Sequence, residues 1–139
     1  MAQLLFPDLS ENVLGACFAV HNALGPGLLE SAYEGALVIE LGCRGLSYER
    51  QAVYPVHYRG QLAGAYVADL VVEGTIILEL KSVQRLTGVM EAQIINYLRL
   101  SGVPVGYLVN FNGQRVAWQR FVYTASAAQV AGHDRTAPP

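Results

Sequence analysis

Residues 67 to 82, VADLVVEGTIILELKS, read as two apolar strands joined at Glu73-Gly74, a dipeptide suited to a tight reversal. Three charges interrupt this apolar run: Asp69, Glu79 and Lys81. Side chains alternate along a strand, so Glu79 and Lys81 share a face. With the reversal at Glu73-Gly74, Asp69 falls roughly opposite Glu79 in an antiparallel ladder. A sheet that gathers two acids and a lysine among Val67, Val71, Ile77 and Leu78 has to compensate them chemically.

The flanking sequence supplies the rest of the fold. Residues 10 to 24 carry Val13, Cys17, Val20 and Leu24 at helical spacing, with Ser10 as the expected N-cap and Gly25-Pro26 as the stop. A second helix is expected from about Leu28 to Leu41, closed by Gly42. Residues 48 to 58 alternate as a strand up to the turn at Arg59-Gly60, and 61 to 72 and 75 to 83 continue an antiparallel meander. Residues 88 to 102 return to helical spacing, with Met90, Ile94, Tyr97 and Leu98 as the apolar side. Strands at 103 to 111 and 114 to 123 follow, joined at Asn112-Gly113. The helix between the third and fourth strands is long enough for a crossover, so the order ααβββαββ implies a mixed α/β sheet with helices on its faces.

Composition narrows the function. The chain has 139 residues, 53% hydrophobic and only 14% charged, which suits one core and excludes extensive disorder. No apolar run is long enough to span a bilayer and the N-terminus lacks a basic, cleavable signal, so a soluble, cytoplasmic protein with no membrane partner is expected. Cys17 and Cys43 are expected as buried free thiols, and His21, His57 and His133 form no zinc spacing. The net charge of −2 argues against a long electrostatic footprint on nucleic acid. Eight of the nine basic residues are arginine; Lys81 is the single lysine.

Two buried carboxylates side by side are costly unless a cation neutralises them. A hard divalent ion does so, and Mg²⁺ takes one or two carboxylates together with waters and phosphate oxygens. A lysine beside such an ion can orient water or offset charge on a phosphate. The alternative is an ion pair of Lys81 with Asp69 or Glu79 on a partly solvated face, and spacing by itself leaves both readings open.

The stretch GLLESAY, residues 27 to 33, carries Gly27, Glu30 and Tyr33 and resembles the signature of the GxxExxY family. The similarity continues through VADLVVEGTIILELKS, EAQIINYLRLSG and GYLVNFNG, about residues 10 to 122. That family is placed in the PD-(D/E)XK nuclease-like superfamily. The resemblance implies an α/β fold with a restriction-endonuclease-like mixed sheet (an αβββαβ core), extended by an N-terminal helix and a C-terminal strand. It implies one domain over residues 1–122 and a C-terminal tail over 123–139. By the same resemblance Asp69 and Glu79 bind Mg²⁺, with Mn²⁺ as a substitute, and Lys81 supports the attacking water. Glu30 completes the site directly or through water. Gln93 and Tyr97, the Q-x-x-x-Y motif of the RecB-like branch, lie on one helix face and touch the substrate phosphate or order the lysine. Gly27 and Tyr33 carry the motif's structural part. The resemblance departs at Met90, where the family often carries histidine. The implied activity is a Mg²⁺-dependent nuclease acting on nucleic acid, DNA more than RNA; pairing with a second copy stays open.

Each residue also has a plainer role. With Gly27 as N-cap, Glu30 would sit at N3 and bond back to the cap. Tyr33 and Tyr97 would be core tyrosines, and Gln93 would satisfy a strand-end backbone group. His21 is expected to pack, Trp118 and Phe121 to fill the sheet, and Glu34 to be solvated. Two rival classes remain: a non-catalytic module that keeps the fold as an interaction or nucleic-acid-binding surface, and an enzyme acting on a smaller phosphate substrate.

Overall fold

In a computed structural model that describes residues 5–124 and 127–132, the elements run α1 (Pro7–Leu24), α2 (Glu30–Cys43), β1 (Tyr48–Tyr58), β2 (Gln61–Val72), β3 (Ile76–Lys81), α3 (Gly88–Ser101), β4 (Val105–Asn110), β5 (Ala117–Thr124) and β6 (Ala127–Gly132). The strands form one sheet in chain order, β1-β2-β3-β4-β5-β6. Among the described strands only β3 and β4 are parallel, and α3 supplies the crossover that a parallel neighbour requires. The mixed α/β architecture expected from the sequence is therefore present. One strand more than expected appears: β6 pairs antiparallel with β5 inside the segment read as a tail.

Alternation sorts the sheet residues onto two cores. Leu70, Val72, Ile76, Leu78, Leu80, Tyr107 and Val109 face α1 and α2, meeting Val13, Cys17, Leu37 and Leu41. Val71, Ile77, Leu108 and Phe121 face the opposite way and meet Ile94 and Leu98 of α3. Glu79, two residues after Ile77 in β3, shares the α3 face.

Local details depart from the sequence reading at the element ends. Helix α1 begins at Pro7 rather than beyond Ser10, with Phe6 in the left-handed region as its cap residue. Proline at a first helical position loses no hydrogen bond, so the helix extends upstream and Ser10 becomes a buried interior residue. Gly42 lies within α2, and the chain turns instead at Gly45, with φ of 72°. The β4–β5 connection covers residues 111–116 rather than a two-residue turn, because Asn110 already pairs with Ala117. Both cysteines are free as expected, but Cys43 is exposed at the end of α2 while Cys17 is buried.

The linker between α1 and α2 is held by one side chain. Gly25 and Gly27 both take positive φ, 77° and 88°, a conformation that favours glycine. The hydroxyl of fully buried Tyr33 donates to the Gly25 carbonyl at 2.6 Å and accepts from the Leu28 amide at 3.1 Å. Its ring stacks on Phe111 at 4.5 Å. Tyr33→Phe keeps the stack but orphans both backbone groups. It is expected to cost about 1–3 kcal/mol in chemical denaturation, with a loss below about 0.5 kcal/mol counting against this bracing role.

Candidate metal and phosphate site

The β2–β3 ladder runs from Val72↔Ile76 to Leu70↔Leu78 and stops there. The next opposed pair is Asp69 and Glu79. The Asp69 amide donates to Glu79 Oε1 at 3.0 Å, and the Leu80 amide donates to Asp69 Oδ2 at 2.8 Å. Each carboxylate thus replaces a missing ladder bond and fixes its own position. Glu79 Oε2 has no hydrogen bond among the described residues, leaving one oxygen of that carboxylate available.

The electrostatics follow from this crowding. Glu79 is 7% exposed; burial, then the neighbouring Asp69 charge, pushes its carboxyl up to about 8. Burial also raises Asp69, opposed by the Leu80 amide and reinforced by the charges of Glu34 and Glu30. Lys81 partly offsets the Glu79 charge but forms no ion pair among the described residues. The ion-pairing alternative is thereby corrected: β3 carries Lys81 close enough to exert a field on Glu79, without the contact that would neutralise either.

Helix α2 brings a third acid. Glu30 is its first residue, with Leu29 as N-cap. Gly27 is therefore not the cap, and Glu30 does not bond back to it. Glu30 Oε2 instead accepts from the Ser82 amide at 3.3 Å, while Ser82 Oγ donates to the Leu28 carbonyl at 2.6 Å. The end of β3 is thus tied to the start of α2.

Glu34, expected to be solvated, is also drawn in. It accepts from Arg50 Nε at 2.9 Å and from Gln51 Nε2 at 2.9 Å. Gln51 Nε2 also reaches Asp69 Oδ1 at 3.5 Å. Its backbone, at φ 51°, occupies the left-handed region beside the Asp69 position. Nothing in the spacing of Gln51 marks it in the sequence. Glu34 had a signal, since it lies one helical turn after Glu30.

Gln93 and Tyr97 project from α3 one turn apart. Tyr97 is half-buried, and its phenol is raised by burial and by the charges of Glu79 and Asp69, within whose electrostatic reach it lies. Gln93 is exposed and has no hydrogen bond among the described residues. His21 bonds the Gly113 carbonyl at 2.9 Å and lies against Phe111, a packing role. Phe121 is buried under α3 and Trp118 sets its edge on Tyr107, so both fill the sheet. Among the described residues no three His, Cys, Asp or Glu side chains form a ready metal cage. None of the helices there is long and apolar enough to cross a membrane.

A family model described as PD-(D/E)XK nuclease superfamily matches residues 7–121. No curated protein matches. Among solved structures, the crystal structure of SSO0001 resembles this fold with a TM-score of 0.51 at 18% identity, over 91% of this chain and 60% of that one. The chain thus spans less than two thirds of that protein's length, and the likeness is one of fold. Nucleases of the matched superfamily generally use divalent metal ions.

The raised Glu79 carboxyl has a measurable consequence. Between its ordinary value of 4.5 and about 8 the folded chain holds a proton that the unfolded chain has released. Stability therefore falls as pH rises across that window. In the absence of metal, the denaturation free energy is expected to drop from about pH 5 to about pH 8, with a slope approaching 1.4 kcal/mol per pH unit. Glu79→Gln should flatten the profile; an unchanged slope in that variant would assign the dependence to other groups.

Proposed function

Since the chain belongs to the PD-(D/E)XK nuclease superfamily, we propose that it is a Mg²⁺-dependent phosphodiesterase of the GxxExxY type. Its substrate in this reading is nucleic acid, DNA in preference to RNA, as the motif resemblance implies. The observation that carries the proposal is the crossed Asp69–Glu79 pair beside an unpaired, half-buried Lys81. The donor set fits a hard cation: two carboxylates repel in a buried position, and one or two carboxylates with waters and phosphate oxygens are what Mg²⁺ typically takes. Bound there, the ion would neutralise the acids, polarise the phosphate and activate water.

The chain's own groups divide the remaining work. Asp69 and Glu79, with the Leu80 carbonyl by resemblance, hold the ion. Lys81 orients the attacking water and stabilises charge developing on the phosphate. Glu30, brought to the end of β3 through Ser82, orients a water from the side of α2. Gln93 and Tyr97 approach the phosphate from α3. Gly27 and Tyr33 act at one remove, by setting where α2 begins.

Calorimetric titration with Mn²⁺, which generally binds more tightly than Mg²⁺ to such sites, tests the ligand assignment without a chosen substrate. Wild type is expected to bind and Asp69→Ala to lose binding while keeping its fold by circular dichroism. Lys81→Ala should retain Mn²⁺ and lose cleavage of DNA by about 100-fold or more. If wild type binds no Mn²⁺ even with a 5′-phosphorylated oligonucleotide present, the non-catalytic interaction module becomes the better reading; its low net charge of −2 already suits that alternative.

A further inference from the structure

Strand β2 pairs with β1 over its whole length but with β3 only across Leu70–Val72. Residues 48 to 68 therefore include a two-stranded arm that projects beyond the rest of the sheet. A hairpin without a third strand is marginal in water unless its side chains brace it. Here three tyrosines do so. Tyr54 lies directly opposite Tyr66, with ring centroids 5.3 Å apart and planes inclined by 22°. Tyr66 stacks in turn on Tyr97 of α3 at 4.2 Å and 11°. The Tyr66 hydroxyl donates to the Tyr97 carbonyl at 2.7 Å, which clamps the arm against the helix.

These rings differ from the core tyrosines. Tyr33 and Tyr107 are 0% and 1% exposed, whereas Tyr54, Tyr66 and Tyr97 are all half-buried. They share the α3 face of the sheet with Ala52, Ala68 and Ile77, and so with Glu79. The rings form one column that crosses the arm: Tyr97 lies within electrostatic reach of the acid pair, Tyr66 is sandwiched in the middle, and Tyr54, in the edge strand β1, ends the column. Beyond Tyr54 the next rung on that face is Val56 opposite Gly64, and a Cβ at Gly64 would meet nothing within 4 Å. The arm ends at Arg59, an exposed guanidinium 5.6 Å from the Tyr58 ring centre.

Among the described residues no second ring covers the outer face of Tyr54, and a partly open face near a phosphate-directed site matches the chemistry of nucleobases. Stacking on aromatic side chains needs free π faces, which a strand offers only where its bases are unpaired. We propose that Tyr54, backed by Tyr66 and Tyr97, is a stacking shelf that selects single-stranded nucleic acid by taking an unpaired base on its outer ring face. This rests on the nuclease reading for the position of the scissile phosphate, but not for the binding itself. Because Tyr66 and Tyr97 already hold the Tyr54 ring in place, that face is presented without reorganisation, and the open rung at Gly64 leaves the edge of the column uncovered.

Binding measured in EDTA separates the shelf from catalysis. Fluorescence anisotropy of a labelled dodecathymidylate, a uridylate counterpart and a blunt hairpin duplex would be compared for wild type, Tyr54→Leu and Tyr54→Trp. Wild type is expected to prefer the single strands. Tyr54→Leu should weaken single-strand binding at least about 5-fold, the range for loss of one stacked base, and change duplex binding less than about 2-fold. Tyr54→Trp should bind single strands as well as wild type or better, and quench 2-aminopurine placed in the oligonucleotide. Equal losses on duplex and single strand, unaltered binding in Tyr54→Leu, or no single-strand binding by wild type would overturn the shelf. A Tyr54→Leu change that acts only on self-association in sedimentation would assign the arm to a second copy instead. Tyrosine-dependent binding without cleavage under any divalent ion would retain the shelf and reject the nuclease. Cleavage untouched by Tyr54→Leu in both rate and single-strand preference would do the reverse.

Discussion

At the end of the β2–β3 ladder, the Asp69 amide donates to Glu79 and the Leu80 amide donates to Asp69. This exchange lets two carboxylates stand where backbone pairing runs out, and it determines much of what surrounds them. With it, one oxygen of each acid is committed to the backbone, so the position of each carboxylate is set before any ligand arrives. The cost appears as the raised Glu79 carboxyl: burial and a like charge favour the protonated acid.

The neighbouring elements hold this arrangement without neutralising it. Helix α2 is seated by its core face, through Leu37 and Leu41, and its first turn is positioned by Tyr33 gripping the linker. Glu30 therefore meets the end of β3 with its carboxylate on the Ser82 amide. Arg50, the cation nearest in β1 order, is occupied by Glu34. Among the described residues, Lys81 is the cation whose charge offsets Glu79, and it forms no ion pair. A fully compensated cluster would be a structural salt bridge, and this one is not compensated in that way among the described residues.

Much of this was legible in the residue pattern. The turn at Glu73-Gly74 predicts Asp69 opposite Glu79, and the two-residue period predicts Glu79 and Lys81 on one face; both relations follow from short-range geometry. The crossover helix follows from the change of period after residue 88, and α3 lies there. The readings that failed lie at element ends or, for Glu34, in a contact between separate elements. Ser10 looked like a cap because serine favours that position, yet Pro7 starts the helix earlier. Gly27 looked like a cap, but its left-handed backbone serves the linker and Leu29 precedes the helix. Glu34 looked solvated because its partners, Arg50 and Gln51, lie on a strand that meets it only in three dimensions.

The sequence by itself determined the periodicities, the hairpin register and hence the pairing of the two acids, because these depend on residues close in the chain and on the geometry of an extended backbone. Only the tertiary structure decided that Lys81 makes no ion pair among the described residues, that Glu30 bonds Ser82 rather than its own cap, and that Tyr54, Tyr66 and Tyr97 fall into one stack. Those relations join separate elements across the sheet. Their distances depend on how two helices and a projecting arm settle against the two cores, a balance of packing that no local spacing encodes.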